Sequence, residues 1–209
     1  MSVVKLEVTR NGVDSTGTGF VVHYHGRTCL VMTARHCVHI VHGRVAITVL
    51  LPRPGPGVGE VRFPGATVLR SGPVDLALLR LDNVVGEFRP MIFAEVPNVT
   101  SFRGVVVYVH GFYPHAGGTV VRPGRFPGHI NGVYQLGDFT YLDGDFTSES
   151  GTSGGPVTMG DRVIGVNVQS VGGSRCAVSP LTLYMTFMNW CGFNGGDHTI
   201  AAMIQRLAA

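Results

Sequence analysis

The chain has 209 residues and a mass of 22.3 kDa, enough for one large domain or two small ones. Charged residues make up 14% of it and apolar residues 44%, a balance that excludes an intrinsically disordered chain. The formal net charge is only +3 and the arginines form no dense run, so we expect no nucleic-acid partner. No stretch reaches the roughly 18 consecutive apolar residues of a membrane span, so none is predicted.

Short apolar runs recur along the chain, separated by glycine, proline and asparagine. The 30 glycines and 12 prolines supply many turn residues. Short runs at regular spacing with turn residues between them are typical of an all-β barrel or sandwich. The predicted strands are Val3–Val8, Gly19–Tyr24, Cys29–Thr33, Val45–Leu51, Ala66–Leu69, Leu76–Leu81, Val105–Val109, Thr119–Val121, Val133–Leu136, Pro156–Met159, Val163–Val168 and Cys176–Val178.

A polar, proline-bearing stretch, Asn83–Val99, lies between two sets of these runs. We interpret it as the link between two barrel-like halves. An N-terminal β-barrel over residues 1–90 and a C-terminal β-barrel over residues 91–209 are therefore predicted.

Only the C-terminal end has clear helical periodicity. After two glycines, Asp197 is predicted to cap a helix over about residues 197–208. The helix should dock on the outside of the barrel through one apolar face, which consists of Ile200, Met203, Ile204 and Leu207.

The four cysteines, Cys29, Cys37, Cys176 and Cys191, are too unevenly spaced for a disulfide scaffold, and no CxxC pair indicates a zinc site. Free, buried thiols are predicted, which favours a reducing compartment. Residues Met1–Arg10 alternate in polarity as a strand does and lack the layout of a secretory signal. We therefore expect a cytoplasmic location.

The string Ser150–Pro156, SGTSGGP, surrounds Ser153 with glycines. A tight turn lets the serine hydroxyl protrude and lets neighbouring amide groups converge on one point. A nucleophile with an oxyanion hole requires this arrangement. Taken alone, the string fits a hairpin turn equally well.

Two further strings bring a histidine and a carboxylate. His36 follows an apolar strand, and its near-neutral titration suits taking a proton from a hydroxyl and returning it to a leaving amine. Asp75 opens the apolar run Leu76–Leu81, where a buried carboxylate needs a partner such as the imidazole N–H of His36. Alone, Asp75 could equally be a turn cap.

In the chain order His36, Asp75, Ser153, these strings resemble the chymotrypsin-like serine proteases. Thr16–Val22 resembles the strand before the histidine in HtrA-type proteases and in many viral proteases of this fold, and Val163–Asn167 resembles the strand after their serine. The resemblance implies an all-β fold of two six-stranded antiparallel β-barrels with a C-terminal α-helix.

The same resemblance implies a role for each matched residue. Ser153 would be the nucleophile, His36 the general base and then the general acid, and Asp75 the group that orients His36. The backbone N–H groups of Gly151 and Ser153 would bind the oxyanion. The implied activity is that of a hydrolase, a serine endopeptidase acting on polypeptides through an acyl-enzyme, with neither a metal nor an organic cofactor.

Two positions depart from the pattern of the secreted relatives. Thr152 stands where those relatives carry an aspartate that pairs with a newly cut N-terminus. We therefore expect a protease that is competent once folded. Thr18 stands where they carry a cysteine that bridges to the one after the histidine, so Cys37 is expected to lack that partner.

Specificity follows from the resemblance only in outline. Viral relatives that take Gln or Glu commonly carry a histidine on one wall strand, where this chain has Asn167. No charged residue stands at the expected pocket floor, which disfavours Arg or Lys, so a small or medium apolar P1 side chain is expected. The predicted floor and wall residues are Thr147, Ser148, Val168, Gln169 and Ser170.

Several biological settings stay open. A viral polyprotein protease, which would act in the host cytoplasm on its own polyprotein, is favoured over an intracellular HtrA-like protease without a peptide-binding module. A rival of another class is a binding or capsid-type protein on the same scaffold, inactive or cutting itself once. In its self-blocking form Gly192–Ala209 would occupy the cleft, whereas in an enzyme the C-terminal helix docks outside.

Overall fold

A computed structural model of the chain describes residues 2–39, 45–52, 60–95, 102–114, 121–146, 149–171 and 174–209. These residues form two seven-stranded sheets and three helices. The first sheet consists of β1 Val3–Arg10, β2 Val13–His25, β3 Thr28–Thr33, β4 Val45–Pro52, β5 Glu60–Pro64, β6 Thr67–Ser71 and β7 Ala77–Leu81. The second consists of β8 Ile92–Phe93, β9 Val106–Pro114, β10 Val121–Leu136, β11 Phe139–Gly144, β12 Pro156–Met159, β13 Arg162–Val171 and β14 Ser174–Val178.

The first sheet is antiparallel, in the order β5-β4-β1-β2-β3-β7-β6. Its strands follow the alternation of the sequence: in β1 the apolar side chains of Val4, Leu6 and Val8 are buried, and the residues between them are partly exposed. The β1–β2 hairpin turns at Asn11 and Gly12, both with positive φ, as a two-residue turn between twisted strands requires.

The second sheet runs in the order β12-β9-β10-β11-β14-β13-β8, and β12 also pairs with β13. This extra pairing closes a six-stranded barrel, while β8 lies outside it as a parallel neighbour of β13. The predicted all-β fold of two barrel-like halves with a C-terminal helix is confirmed, with the difference that the first sheet forms a half-barrel. Edge strands β5 and β6 each pair on one side only within the described residues, so that sheet stays open.

The helices are α1 Arg35–Val38, α2 Pro180–Cys191 and α3 Ile200–Ala208. The predicted apolar face of α3 is buried, but the predicted start is wrong. The hydroxyl of Thr199, and not the Asp197 carboxylate, accepts from the backbone N–H of Ala202, so the helix begins three residues later. Helix α2 was not predicted. Its N-cap is Ser179, whose hydroxyl accepts a hydrogen bond from the N–H of Thr182.

The two sheets share a core. Phe93 in β8 packs against Phe20 of the first sheet and against Phe187 of α2, with ring centroids 6.0 and 5.7 Å apart. Phe93, which lies in the predicted link, thus contacts both the first sheet and helix α2. All four cysteines are free thiols. Within the described ranges, no helix has both the length and the apolar character needed to cross a membrane.

Candidate active site

His36 and Asp75 meet where two neighbouring strands of the first sheet begin and end. Strands β3 and β7 are antiparallel, with Thr33 opposite Ala77, so the end of one lies beside the start of the other. The ring Nδ1 of His36 lies 2.6 Å from Asp75 Oδ2, and the backbone N–H of His36 donates to Oδ1 at 2.8 Å. One carboxylate thus binds both the ring and the main chain of the histidine.

This pairing shifts the titration of both groups. The hydrogen bond to Asp75 raises the pKa of His36 above its ordinary value of 6.5, although burial acts in the opposite direction. Burial alone would raise the pKa of Asp75, but the hydrogen bonds and the charge of His36 bring it below its ordinary value of 3.8. The carboxylate is therefore ionised at neutral pH, and it holds a proton on Nδ1 of the ring.

Arg10 holds the short helix that carries His36. Helix α1 has only four residues and no side-chain cap at its start, so its own hydrogen bonds support it poorly. The Arg10 guanidinium, at the end of β1, donates from Nη2 to the carbonyl oxygens of His36 and Cys37 at 2.7 and 2.5 Å. A cation on these last carbonyls also suits the negative end of the helix. Nothing in the sequence singled out Arg10.

Ser153 sits in a tight loop between β11 and β12, and its side chain is buried except for a small fraction. Gly154, directly after it, has φ +85°, and a Cβ at that position would overlap Thr33 Oγ1 and the Thr18 carbonyl oxygen. Only glycine fits there without a shift of backbone. The loop can therefore press directly against the end of β3, close to the segment that carries His36.

Hydrogen bonds join this loop to the first sheet. The Thr18 N–H donates to the Ser153 carbonyl at 2.9 Å, and the Thr18 hydroxyl donates to the Gly151 carbonyl at 2.6 Å. The Cys37 thiol lies 3.5 Å from the Ser153 carbonyl oxygen. The serine is thus adjacent to the residue that follows His36. No hydrogen bond joins the Ser153 hydroxyl to the His36 ring, and such bonds are often long without substrate.

The amide groups of the Gly151–Gly155 loop divide into two sets. Those of Thr152, Gly154 and Gly155 each donate to a backbone carbonyl, at 3.0, 2.8 and 3.0 Å. Those of Gly151 and Ser153 have no acceptor among the described residues. These two unpaired amides are the two that the resemblance implied for an oxyanion hole.

The predicted substrate pocket is described only in part. Thr147 and Ser148 lie outside the described residues. Val168 is buried in β13, opposite Cys176 of β14. Gln169 and Ser170 continue the same strand, and their side chains lie outside the described part of the structure.

Helix α3 packs against α2, against β2 of the first sheet and against β8. With them it lines a cavity of about 790 Å³ that includes Met91, Ile92, Leu181 and Ile204, and neither His36 nor Ser153 lines that cavity. The helix therefore docks as expected for an enzyme. Among the described residues, no group of three or more histidine, cysteine or acidic side chains could hold a metal ion.

Asn167 is a further residue of the site that the sequence analysis mentioned only in connection with specificity. It is fully buried in β13, and its side-chain amide contacts Thr152, the residue before the serine. The sequence signal that marks it is weak, since it is a polar residue within the apolar run Val163–Val168.

Comparison with known proteins relates this chain to proteases. A curated Do-like protease 12 of Arabidopsis thaliana, described as mitochondrial, is 31% identical over 181 residues. That match covers 83% of this chain and 33% of the relative, so the chain spans about a third of the relative's length.

Two solved structures share the fold. One is Deg5, with a TM-score of 0.69 and 19% identity, covering 88% of this chain and 85% of that one. The other is the active form of the Rv3671c protease from M. tuberculosis, with a TM-score of 0.66 and 25% identity, covering 97% and 86%. The family model described as the trypsin-like peptidase domain matches residues 17–166. The chain therefore belongs to the trypsin-like peptidase family.

Proposed function

We propose that this chain is a serine endopeptidase with His36, Asp75 and Ser153 as its catalytic triad. The observation that carries the proposal is the two-point hydrogen bonding of His36 to one carboxylate, beside a loop that bears a serine between glycines. Of the groups present, the imidazole Nε2 of His36 is the one suited to accept the serine proton once the ring is neutral.

The reaction follows from the positions of these groups. His36 Nε2 takes the proton from Ser153 Oγ while Oγ attacks the carbonyl carbon of the scissile bond. The oxygen of the tetrahedral intermediate gains negative charge and accepts hydrogen bonds from the Gly151 and Ser153 amides. His36 then gives the proton to the leaving amine, which departs and leaves an ester on Ser153.

Water completes the cycle. His36 takes a proton from a water molecule, which attacks the ester, and returns it to Ser153 Oγ as the acid product leaves. Throughout, Asp75 accepts a hydrogen bond from the Nδ1–H of His36. This bond keeps the ring in the tautomer whose Nε2 can act as a base, and the carboxylate stabilises the ring once it is charged. Each step uses only groups of this chain and water.

The test is cleavage of a diverse peptide mixture by the purified chain and by Ser153→Ala. We expect the wild type to cleave and the variant to fold and be inert, a loss of about 10⁴-fold or more. Peptidase activity retained by Ser153→Ala would contradict the assignment. The same mixture reports specificity, for which we propose a small or medium apolar P1 side chain.

The similarity to a Do-like protease supports an HtrA-like setting over viral polyprotein processing. We propose HtrA-like activity on polypeptides. A polyprotein substrate stays a prediction, with no specific observation in its favour. A cytoplasmic location also stays a prediction, and the Do-like relative is described as mitochondrial. Cleavage of many unrelated peptides would support the HtrA-like setting, and cleavage at a single junction would oppose it.

We also propose that the protease needs no N-terminal cleavage. Thr152 stands in place of an aspartate that would pair with a new N-terminus, and it bonds instead to its own loop, with N–H and hydroxyl both donating to the Glu149 carbonyl at 3.0 and 2.7 Å. Activity that appears only after trimming of the purified chain would contradict this.

A further inference from the structure

Asn167 of β13 is bonded to the nucleophile loop through both its backbone and its side chain. The Gly154 N–H donates to the Asn167 carbonyl, and the Asn167 N–H donates to the Gly155 carbonyl, each at 2.8 Å. The side-chain Nδ2 lies 3.2 Å from the Thr152 carbonyl oxygen and 3.1 Å from the Thr152 hydroxyl. Since a carbonyl can only accept, the atom facing Thr152 must be the nitrogen.

The Thr152 carbonyl belongs to the same peptide group as the Ser153 N–H. In a planar trans peptide these two groups point in opposite directions. The carbonyl accepts from the Gly155 N–H at 3.0 Å and from Asn167 Nδ2, so it is held on one side by two donors. The N–H is thereby turned to the other side, where it has no acceptor among the described residues.

The other end of the Asn167 amide shows that this contact has a cost. Asn167 is fully buried, and its Oδ1 has no hydrogen-bond partner in the part of the chain that the structure describes. A buried acceptor without a partner destabilises a fold, and an apolar side chain of similar size would avoid that cost. Packing therefore does not explain an asparagine here, whereas the two contacts of Nδ2 do.

From these contacts we infer that Asn167 is a positioning residue for the oxyanion hole: its Nδ2 fixes the Thr152–Ser153 peptide so that the Ser153 N–H faces the developing oxyanion. The inference rests on the proposed function. Thr152 is held from its other side by the Glu149 carbonyl, so the peptide is fixed by uncharged hydrogen bonds within the chain. The Asn167 amide thus orders the nucleophile loop, which the secreted relatives are expected to order with an ion pair.

The main test compares Asn167→Leu with the wild type, using peptide hydrolysis and binding of a peptide trifluoromethyl ketone, whose covalent adduct carries an oxyanion. Losing one oxyanion donor outright lowers kcat by about 10²–10³-fold. Misorienting it should lower kcat about 10- to 100-fold with KM within about twofold. Affinity for the ketone should fall by the same factor as kcat. A purely structural role would not produce that match.

Thr158→Val serves as the matched control. Thr158 is equally buried in the same barrel, and its hydroxyl bonds to His110 Nε2 at 2.9 Å and to the Tyr108 carbonyl at 3.5 Å, with no bond to the nucleophile loop among the described residues. It should lose stability and keep the wild-type kcat and ketone affinity. If Asn167→Leu keeps the wild-type kcat, or if Thr158→Val loses kcat to the same extent, the inference is wrong.

A second variant covers the case in which Asn167→Leu does not fold. Thr152→Val removes the hydroxyl, and with it both the contact from Asn167 Nδ2 and the bond to the Glu149 carbonyl, and it leaves the contact of Nδ2 with the Thr152 carbonyl. Because both lost bonds hold the Thr152–Ser153 peptide, the variant should show the same paired loss of kcat and ketone affinity, reduced to about threefold to tenfold. Thr152→Ser, which keeps the hydroxyl, should restore both. Unchanged kcat in Thr152→Val overturns the inference. A wild-type chain that cleaves nothing contradicts the proposed function itself and is recognised without any variant.

Discussion

Replacing Asp75 with asparagine isolates the group that orients the proposed base. The carboxylate binds the His36 ring at 2.6 Å and the His36 N–H at 2.8 Å, and asparagine keeps the shape but loses the charge. Its amide can present an N–H to Nδ1, which favours the ring tautomer with the proton on Nε2. That tautomer cannot accept the serine proton, so kcat should fall about 10⁴-fold.

The pKa of His36 should fall in the same variant. A hydrogen bond to a charged group contributes about 1.5–3 kcal/mol, and about 1.4 kcal/mol corresponds to one pKa unit. The two side chains are 39% and 27% exposed, so solvent screens the pair and the lower end of the range applies. We expect a decrease of about one unit relative to the wild-type carboxylate.

The assay is a proton NMR titration of the imidazole signals. Ser153→Ala is the reference background, because it prevents self-digestion, and it is compared with Ser153→Ala/Asp75→Asn. His36→Gln identifies the relevant signal among those of the nine histidines. A His36 pKa that is the same in both proteins would refute the pairing of ring and carboxylate.

Four further predictions concern the same site. Because the raised pKa of His36 keeps the ring protonated above pH 6.5 and the base must be neutral, kcat/KM should rise with pH through a midpoint above 6.5; a midpoint below 6.5 would contradict this. The stability that the pair contributes should be complete between the ordinary pKa values of the two groups, 3.8 and 6.5. It should decline as pH rises through the raised pKa of His36 and as pH falls through the lowered pKa of Asp75, and a contribution that does not change with pH in denaturant unfolding would contradict this. Gly154→Ala should cost about 2 kcal/mol or more in unfolding free energy, since its Cβ would meet backbone and Thr33 Oγ1, and a loss below about 0.5 kcal/mol would be inconsistent with the loop geometry. Arg10→Met should lower kcat about 10-fold with little change in KM, because α1 loses its two donated hydrogen bonds, and Arg10→Lys should restore part of the rate; equal rates in all three proteins would dismiss this anchor.

The sequence predicted the parts of the site that local pattern determines. Each of His36, Asp75 and Ser153 stands at the end of an apolar run or among glycines, so its position relative to a strand or a turn was readable. His36 and Asp75 meet because antiparallel pairing of β3 and β7 brings the two strand ends together, and that pairing is long-range, so the local pattern does not predict it. The division into residues 1–90 and 91–209 stays a prediction.

Long-range contacts of single side chains could not be predicted from the sequence. Arg10 reaches His36 across 26 positions and Asn167 reaches Thr152 across 15, and neither has a local signature because its role depends on where another strand places its partner. Helix α2 is a different case. Ser179 before Pro180, and Gly192 after the last turn, are ordinary signals for a helix start and end.

Labelling with a fluorophosphonate, followed by mapping of the modified residue by mass spectrometry, tests most directly whether the three side chains act together. The wild type should be labelled at Ser153, Ser153→Ala should not be labelled, and His36→Ala should react at least about 10³-fold more slowly, since the hydroxyl then has no base. Labelling at another residue, or labelling of Ser153 at an unchanged rate in His36→Ala, would contradict the triad.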